Sequence, residues 1–307
     1  MYKYSCIMQA YSKSKNKFHT KEAIIMKHNT IKKLAFLLAA LTLLCTVLTG
    51  CGEDTIVVQT NAYFAPFEYY DGNVIKGVDV DIMNKVGEKM GKKVEFVQTE
   101  FSAIIDNVKE GKVCECGAAG ITATDARKEK VDFSVTYFVS VQYVIYQKSA
   151  APTTVDNKYI LWEALSGKKV GVQTDTTGAI YLDGEINAQA GNDYGYDGVL
   201  YGSGTEQINY DNVQIAVEAL KAGYCDYIII DKLPAQYVVN ADATLGCLPL
   251  YYAGGDGEDD FPVSEDYAIA VNKEQKELLA AINEVLNGML ENGEVDALIM
   301  KHMGLDQ

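Results

Sequence analysis

The chain carries a single arginine, Arg127, among its 27 basic residues. It lies in the segment GITATDARKEKVDFS, residues 120–134, and every other basic residue is a lysine. A guanidinium group is planar, presents paired N–H donors that match both oxygens of a carboxylate, and keeps its charge when it is removed from water. We therefore predict that Arg127 binds a carboxylate ligand. A structural or surface role for this arginine is the alternative.

Histidine and cysteine are scarce beyond the first fifty residues, which limits the other chemistry of the chain. His302 is the one histidine there, and it lies in a helix-like stretch. Cys114 and Cys116 are two apart in a strand-like run, so they should share a face and not pair with each other. Together with Cys225 and Cys247, they are expected to be structural cysteines. We predict no metal site, no cofactor and no Ser-His or Cys-His catalysis.

The first fifty residues have the pattern of a signal peptide. A basic segment that starts at Met26 is followed by an apolar run over 34–48 and then by TGC. The run is shorter than the roughly 20 residues that a membrane-spanning helix needs. LTGC resembles the lipobox of bacterial lipoproteins, which implies cleavage before Cys51 and attachment of fatty acids such as palmitate to that cysteine. The alternative is an uncleaved membrane anchor. Residues 1–25 fit no targeting pattern, so we expect Met26 to be the true first residue.

Cleavage would make the chain strongly acidic. Residues 1–50 hold eight lysines and one glutamate, so their removal changes the formal net charge from −15 to −22. Such an acidic surface argues against nucleic acid as a partner and against electrostatic docking to anionic lipid. We expect a soluble body that its lipid anchor holds on the extracytoplasmic face of the bacterial cell membrane.

Beyond Cys51, hydrophobic patterns alternate between strand and helix, which predicts an α/β fold with largely parallel sheets. Two such series follow each other, and each contains a helix, a Lys-x-Gly turn and a cysteine-bearing strand, so we predict two lobes of related construction. The predicted strands are 55–60, 94–98, 112–120, 168–174 and 225–231, and the predicted helices are 78–93, 101–111, 211–223, 232–240 and most of 273–303. Segments 183–210 and 252–265 are expected to be surface loops.

The position and surroundings of Arg127 suggest what it binds. Ligands of parallel α/β sheets bind beyond the carboxyl ends of the strands, and Arg127 follows the predicted strand that ends at Gly120. Its surroundings, Gly-x-Thr-x-Thr-x-x-Arg before Asp-Phe-Ser, resemble the signature of the polar amino-acid solute-binding proteins of ABC importers. The resemblance implies that Gly120 and Thr122 contact an amino-acid carboxylate, through backbone and hydroxyl groups, and that Arg127 clamps it.

Two further segments resemble the first lobe of that family. The segment NAYFAPFEYYDGNVIKGVDVDI, residues 61–82, implies that Asn61 and Phe64 face the pocket, with Phe64 stacking on the ligand side chain. Phe101, in EFSAII, matches a second lining position. Both phenylalanines could instead be ordinary core residues.

Two segments resemble the second lobe, and the likeness then extends over nearly all of residues 54–307. GVQTDTTGAIY implies that Thr176 and Thr177 donate to the carboxylate and that Gln173 reaches the ligand side chain. DYIIIDKLPA implies that Asp231 receives the α-ammonium group. Asp231 could also cap the helix that follows it.

The resemblance implies a two-lobed periplasmic-binding-protein-like fold of type II with a Venus-flytrap hinge. Lobe 1 would comprise residues 51–141 and 266–307, and lobe 2 residues 142–265. The hinge would be formed by the two crossing segments near Ser140–Val144 and Glu265–Tyr267. Ligand binding would close the lobes around this hinge.

A zwitterion that leaves water needs both of its charges met. Arg127 on one lobe and Asp231 on the other would supply them. Asn61 stands where many family members have an aspartate, and Gln173 is also neutral, so the side-chain pocket has no evident charge and we expect a neutral or weakly polar amino acid. Asp175 replaces a common glycine, which should affect only the geometry of its loop.

The sequence therefore predicts a monomeric, lipid-anchored substrate-binding protein that captures an amino acid and delivers it to an ABC transporter permease. It is not expected to be an enzyme. A dehydratase-like or peptidoglycan-cleaving enzyme of the same fold is one alternative, and it would need a poised acid in the cleft, for which the candidates are Asp231, Glu68 and Glu100. A ligand-sensing receptor module is the other, and it would need a transmembrane helix and a cytoplasmic domain beyond residue 307.

Overall fold

The computed structural model describes residues 55–192, 194–255 and 257–305. The predicted signal peptide and the predicted lipidation site, Cys51, lie outside these residues. Within the described part of the chain, no helix is long and apolar enough to cross a membrane.

Strands and helices alternate along most of the described chain, as the sequence predicts for an α/β fold. The strands are β1 Thr55–Thr60, β2 Tyr63–Phe64, β3 Glu68–Asp71, β4 Val74–Lys76, β5 Lys93–Gln98, β6 Cys116–Gly117, β7 Asp132–Phe133, β8 Phe138–Gln147, β9 Ile160–Leu161, β10 Lys169–Gln173, β11 Glu206–Tyr210, β12 Tyr227–Asp231, β13 Leu245–Tyr252, β14 Phe261–Pro262, β15 Ser264–Tyr267 and β16 Ala270–Val271. The α-helices are α1 Val78–Met90, α2 Phe101–Glu110, α3 Asp125–Lys130, α4 Thr177–Asn187, α5 Val213–Lys221, α6 Lys232–Ala241, α7 Lys276–Glu291 and α8 Glu294–His302. Two 3₁₀ turns cover Lys148–Ala150 and Trp162–Leu165.

The first sheet has the strand order β5-β1-β6-β16-β7. β1 is parallel to both of its neighbours, whereas β16 is antiparallel to β6 and β7. The apolar residues of α1 recur at helical spacing and bury one face, with Ile82 and Val86 in the same core as Val58 of β1. A short hairpin sheet, β2-β3-β4, lies between β1 and α1 in the sequence.

The second sheet has the order β11-β10-β12-β8-β13-β14. β10 pairs in parallel with β11 and β12, and β8 is antiparallel to β12 and β13. One face of this sheet has its own core, in which Trp162 packs with Val144, Val172 and Ile229.

Two antiparallel strands carry the chain between the sheets. The first half of β8 pairs with β15, with Ser140 opposite Glu265, and the second half pairs with β12 and β13. These strands include the predicted crossing segments Ser140–Val144 and Glu265–Tyr267. The predicted lobe boundaries at 141/142 and 265/266 stay a prediction.

The predicted strand 112–120 is much shorter than expected, because only Cys116–Gly117 is extended and paired. Cys114 lies before it and is buried with Ile104 and Val108, whereas Cys116 belongs to the main core. The expectation that the two cysteines share a face is therefore wrong. All four cysteines within the described residues are free thiols.

The two predicted surface loops contain regular structure. Segment 183–210 includes the end of α4 and all of β11, and segment 252–265 includes β14. β11 is an edge strand, where one side of the backbone faces solvent and polar residues are tolerated, so its sequence EQINY lacks the apolar signature of a strand. The C-terminal helical stretch is broken into α7 and α8 by Gly293, whose φ of 76° is left-handed.

Candidate functional site

One cavity between the two sheets is lined by all ten residues that the sequence predicts to bind the ligand. The empty space among its lining atoms is about 310 Å³. Two further residues, Glu68 and Ala119, complete the lining. The structure thus brings the predicted set together, while the role of each residue remains a prediction.

The cavity lies where parallel strands end. Asn61 follows the last residue of β1, Gln173 is the last residue of β10, and Asp231 is the last residue of β12. Gly120 lies just beyond β6. Because parallel strands place their carboxyl ends on one edge of a sheet, residues far apart in the sequence converge there.

Arg127 lies in α3 and spans the cavity. Its Nη1 donates to the carbonyl oxygen of Thr122 at 2.9 Å, and its Nη2 donates to the carbonyl oxygen of Asp175 at 2.8 Å. The guanidinium carbon lies 5.4 Å from the ring centre of Phe101, close enough for a cation–π interaction. Burial lowers the pKa of Arg127, and the charges of nearby acids, Glu265 first, oppose this effect, so the group stays cationic. Since a guanidinium has five N–H donors, three remain for a ligand.

Asp175 has a left-handed backbone, with a φ of 61°. This explains why a glycine suits the position, and aspartate is one of the few other residues that tolerate it. The turn presents the carbonyl oxygen of Asp175 to Arg127. This hydrogen bond links the loop after β10 of the second sheet to α3 across the cavity.

A second contact closes the cavity on the other side. Nε2 of Gln173 donates to Oδ1 of Asn61 at 3.1 Å, and Nδ2 of Asn61 donates to the carbonyl oxygen of Thr99 at 2.8 Å. Asn61, which was predicted to face the pocket, and Gln173, which was predicted to reach the ligand side chain, thus bind each other in this structure. A ligand would have to replace this hydrogen bond.

The predicted carboxylate donors Gly120 and Thr122 are also engaged. The N–H of Gly120 donates to Oδ2 of Asp79 at 3.0 Å, and Oγ1 of Thr122 donates to Oε2 of Glu265 at 2.7 Å. Gly120 has a φ of 53°, and a Cβ atom there would lie 2.7 Å from the ring of Phe64. In this structure Asp79 holds the N–H of Gly120, and the predicted contact of Gly120 with a carboxylate stays a prediction.

Thr176 and Thr177 form the start of α4. The side chain of Thr176 caps the helix by accepting from the N–H of Ala179 at 3.3 Å, and it donates to the carbonyl oxygen of Gln173 at 2.8 Å. Thr177 is the first helical residue and is buried. The N–H groups of a first helical turn have no partner within the helix and favour a negative charge, so this end of α4 suits a carboxylate.

Asp231 is 8 % exposed and carries a perturbed carboxyl group. It accepts hydrogen bonds from the hydroxyl of Tyr267 at 2.6 Å and from Nε2 of Gln142. Burial and the negative charge of Glu265 raise its pKa to about 8. The side chain makes no capping bond to α6, so the alternative role as a helix cap is wrong.

Glu265 is a residue of the site that the sequence reasoning missed as a functional group. It is fully buried on β15 and accepts a hydrogen bond from the hydroxyl of Thr122. Its Oε1 also accepts from Nε2 of Gln142 at 3.3 Å, and the same Nε2 donates to Asp231. Burial raises its pKa. Burial favours the protonated form of both carboxyl groups in the empty site, and a ligand ammonium group bound beside them would favour the ionised form. The only signal in the sequence was its place in a predicted crossing segment.

Glu68 lies in the cavity lining and is fully buried. Burial, and then the neighbouring carboxyl of Asp79, raise its pKa well above the usual range. Glu100, the other candidate acid, is exposed and lies outside the lining. The expectation of a neutral or weakly polar ligand rested on a side-chain pocket without an acidic or basic group. Glu68 adds an acidic residue to that lining, and the nature of the ligand side chain stays a prediction.

The two phenylalanines occupy different environments. Phe64 is buried and packs against Phe67 and Tyr267, at ring-centre distances of 6.1 and 6.3 Å, so it belongs to the core as well as to the lining. Phe101 is half-buried beneath Arg127. Their contacts with a ligand stay a prediction.

Comparison with known proteins agrees with this geometry. Residues 56–305 match the model of the bacterial extracellular solute-binding proteins, family 3. The chain is 29% identical to a probable histidine-binding protein of Neisseria gonorrhoeae, covering 89% of this chain and 96% of the relative. It is 28% identical to the arginine-binding extracellular protein ArtP of Bacillus subtilis, covering 88% and 98%. A solved ancestral arginine-binding protein with bound arginine is 31% identical, with a TM-score of 0.65 over 80% of this chain and 97% of that one. The predicted two-lobed, type II periplasmic-binding-protein-like fold is confirmed.

Proposed function

Because the chain belongs to family 3 of the bacterial extracellular solute-binding proteins, a family of binding proteins and not of enzymes, we propose that it captures an amino acid between its two lobes and delivers it to an ABC importer. The observation that carries this proposal is the presence of a guanidinium and a buried carboxyl group in one cavity. Arg127 enters from α3, next to the first sheet, and Asp231 from the end of β12 in the second. The names of the relatives, which include histidine- and arginine-binding proteins, support an amino-acid ligand.

In this proposal the ligand α-carboxylate binds at Arg127 and the start of α4. The guanidinium keeps free N–H donors after its two bonds to carbonyl oxygens. Thr122, Thr176 and Thr177 surround the same place, and the α4 N-terminus adds favourable partial charge.

The α-ammonium group binds at Asp231. The carboxyl groups of Asp231 and Glu265 share one amide donor, Nε2 of Gln142. This single donor does not stabilise the ionised form of both carboxyl groups. An ammonium group bonded to Asp231 would stabilise its ionised form and offset the cost of removing both ions from water.

A ligand that spans both charges links the two sheets and favours the closed arrangement around β8 and β15. We assign residues 51–141 and 266–307 to lobe 1 and residues 142–265 to lobe 2. Cys51 would carry the lipid that holds a monomeric protein on the extracytoplasmic membrane face, where the importer is reached.

Calorimetric titration of the full-length protein in detergent with the twenty standard amino acids, cystine and ornithine tests this proposal. At least one should bind with micromolar or tighter affinity, and both Arg127→Lys and Asp231→Ala should abolish that binding. Asp211→Asn, an exposed position outside the cavity, is the control and should bind normally. If no amino acid binds, or if the two cavity variants bind as well as wild type, the proposal is wrong.

A further inference from the structure

We propose that Glu265 makes amino-acid capture depend on pH: the charge that it holds next to Asp231 keeps a proton on that residue, and the α-ammonium group of the amino acid must displace this proton in order to bind. The inference rests on the proposed function, since it concerns the ammonium end of the same cavity. It gives Glu265 a positioning role that acts through Asp231, because Glu265 lies behind the cavity and is not among the residues that line it.

One amide donor joins the two carboxyl groups. Nε2 of Gln142 donates to Oδ1 of Asp231 and, at 3.3 Å, to Oε1 of Glu265. Both acids are buried, and Glu265 has no exposed surface. Two acceptor oxygens on one nitrogen lie close together, so the ionisation of one carboxyl group opposes the ionisation of the other. We therefore expect only one of the two to be charged near neutral pH.

The hydroxyl donors favour a charge on Glu265. Its Oε2 accepts from Thr122 at 2.7 Å, and its carboxyl group also has side-chain hydrogen bonds with Thr177 and Tyr181. Asp231 has a single hydroxyl donor besides the shared amide. Because donors stabilise an ionised carboxyl group, the charge should rest on Glu265 and the proton on Asp231. Burial, and then the charge of Glu265, raise the pKa of Asp231 to about 8, which agrees with this assignment.

The other titratable groups around the pair do not change the assignment. Burial raises the pKa of both carboxyl groups, and the charge of Arg127 on α3 acts in the opposite direction. Arg127 donates to two carbonyl oxygens, and the carboxyl group of Asp175 also acts on its charge. One cation beside two buried acids balances a single negative charge. The remaining groups are phenols whose pKa is raised by burial, so they stay neutral: Tyr181 of α4, Tyr267 of β15 and, beside Tyr267, Tyr137.

An amino acid would change this balance at Asp231. Its α-carboxylate would take the free N–H donors of Arg127, and its α-ammonium group would form a charged hydrogen bond with the ionised carboxyl of Asp231. The proton of Asp231 then passes to the solvent, while the hydroxyl donors hold the charge on Glu265. Since binding releases a proton, the affinity should rise with pH over the range in which the empty site holds that proton and the complex does not.

Calorimetric titration of the full-length protein in detergent at pH 5.5, 6.5 and 7.5 tests the inference. The probe is the amino acid that binds most tightly among those titrated above, histidine excepted, because its side chain titrates in this range. Wild-type affinity should rise about tenfold or more from pH 5.5 to 7.5, since one released proton allows at most about tenfold per pH unit. Glu265→Gln removes the charge beside Asp231, and its affinity should change less than about threefold. Titration at pH 6.5 in two buffers of different ionisation enthalpy should show proton release by wild type and none by the variant.

Two further variants serve as controls. Glu265→Asp keeps a carboxyl group and should keep the rise of affinity with pH. Glu185→Gln changes a buried glutamate of α4 outside the lining, which accepts from the N–H of Val199 and the hydroxyl of Tyr252, and it should keep the wild-type profile. Asp79, whose pKa burial raises to about 6, titrates in the same range. It is present in all of these proteins, so it cannot account for a difference between them.

A wild-type affinity that does not change with pH, or a folded Glu265→Gln protein with the wild-type profile, would overturn the inference while the proposed function stands. Glu265→Leu replaces the buried carboxyl with an apolar side chain of similar size, and it takes the place of the glutamine variant if that one does not fold. Absence of binding by every amino acid at all three pH values would refute the proposed function itself, so the two failures are distinguishable.

Discussion

Replacing Asp231 with asparagine should stabilise the ligand-free protein at pH 8 while abolishing amino-acid binding. The pKa of Asp231 is raised to about 8 by burial and by the charge of Glu265, whereas an aspartate in an unfolded chain titrates near about 3.9. Between these values the unfolded chain has lost a proton that the folded protein keeps. The free energy of unfolding that this group contributes therefore falls as the pH rises from about 4 to about 8.

The size of the effect follows from the shift. A difference of about 4 pKa units, at about 1.4 kcal/mol each, sets an upper limit of about 6 kcal/mol. The limit is not reached, because Asp231 and Glu265 share one amide and titrate as a pair. For Asp231→Asn we expect a gain of about 2–4 kcal/mol at pH 8, in line with replacement of other buried ionic groups. At pH 4 the gain should vanish, because the native carboxyl is then neutral.

Urea denaturation at pH 4, 6 and 8 measures this. Wild type, Asp231→Asn and the exposed control Asp211→Asn should each be unfolded, freed of bound solutes and refolded before the measurement. The stability difference between Asp231→Asn and wild type should grow with pH, and the control should show no such trend. An Asp231→Asn protein that is equally or less stable than wild type at pH 8 would refute the argument that this carboxyl is held at an energetic cost for the sake of the ligand.

Two predictions concern the walls of the cavity. Gly120→Ala places a Cβ atom 2.7 Å from the ring of Phe64 at a φ of 53°, and should lower the free energy of unfolding by about 1–3 kcal/mol and weaken ligand binding. Gly72→Ala, at a φ of 62° with open space around it, is the control in urea denaturation and in ligand titration. If the two variants lose equal stability and equal affinity, crowding at Phe64 is not the cause. Thr176→Ala removes the cap of α4 and should cost about 0.5–2 kcal/mol. Thr176→Ser keeps the hydroxyl, so a loss as large as that of alanine would rule out capping as the cause.

Short contiguous motifs explain why so much of the cavity could be predicted. Arg127 and Thr122 are five residues apart, and Thr176 and Thr177 follow the end of β10 closely, so each motif carries its own local geometry. The alternation of strand and helix then places the motifs at strand ends, where they meet. The role of each residue came from the resemblance of these motifs to the solute-binding family, and the rule for parallel sheets agrees with where they meet.

Glu265 and Gln142 show what such patterns miss. Their contact with Asp231 depends on the antiparallel register of β8 with both β12 and β15. That register joins Gln142 to Asp231, 89 positions away, and to Glu265, 123 positions away, and no local spacing reports it. Glu68, by contrast, is one of the three acids that the sequence offered for the cleft, and it lines the cavity.

Strand length was misjudged where small residues bring elements close together. Around β6 the sequence CGAAG suggests a long buried strand, yet only Cys116–Gly117 is paired. A Cβ atom on Gly117 would lie 2.4 Å from Ile104 of α2, so the helix packs directly on the backbone there. The small apolar residues of this run thus allow α2 to pack closely on the chain next to the cavity. Only two of them pair in a strand.

The place of β16 in the first sheet bears on the order in which the molecule is completed. β16 lies between β6 and β7, although residues 134–269 separate β7 from it in the chain. During synthesis from the N-terminus, all the other strands of this sheet are made early, but β6 and β7 have no partner strand between them until residues 270 and 271 follow. The second sheet, whose strands lie entirely within that interval, can form first. The sheet that begins the chain is therefore the last to be finished, and a product truncated before β16 would expose the edges of β6 and β7 to pairing with other chains.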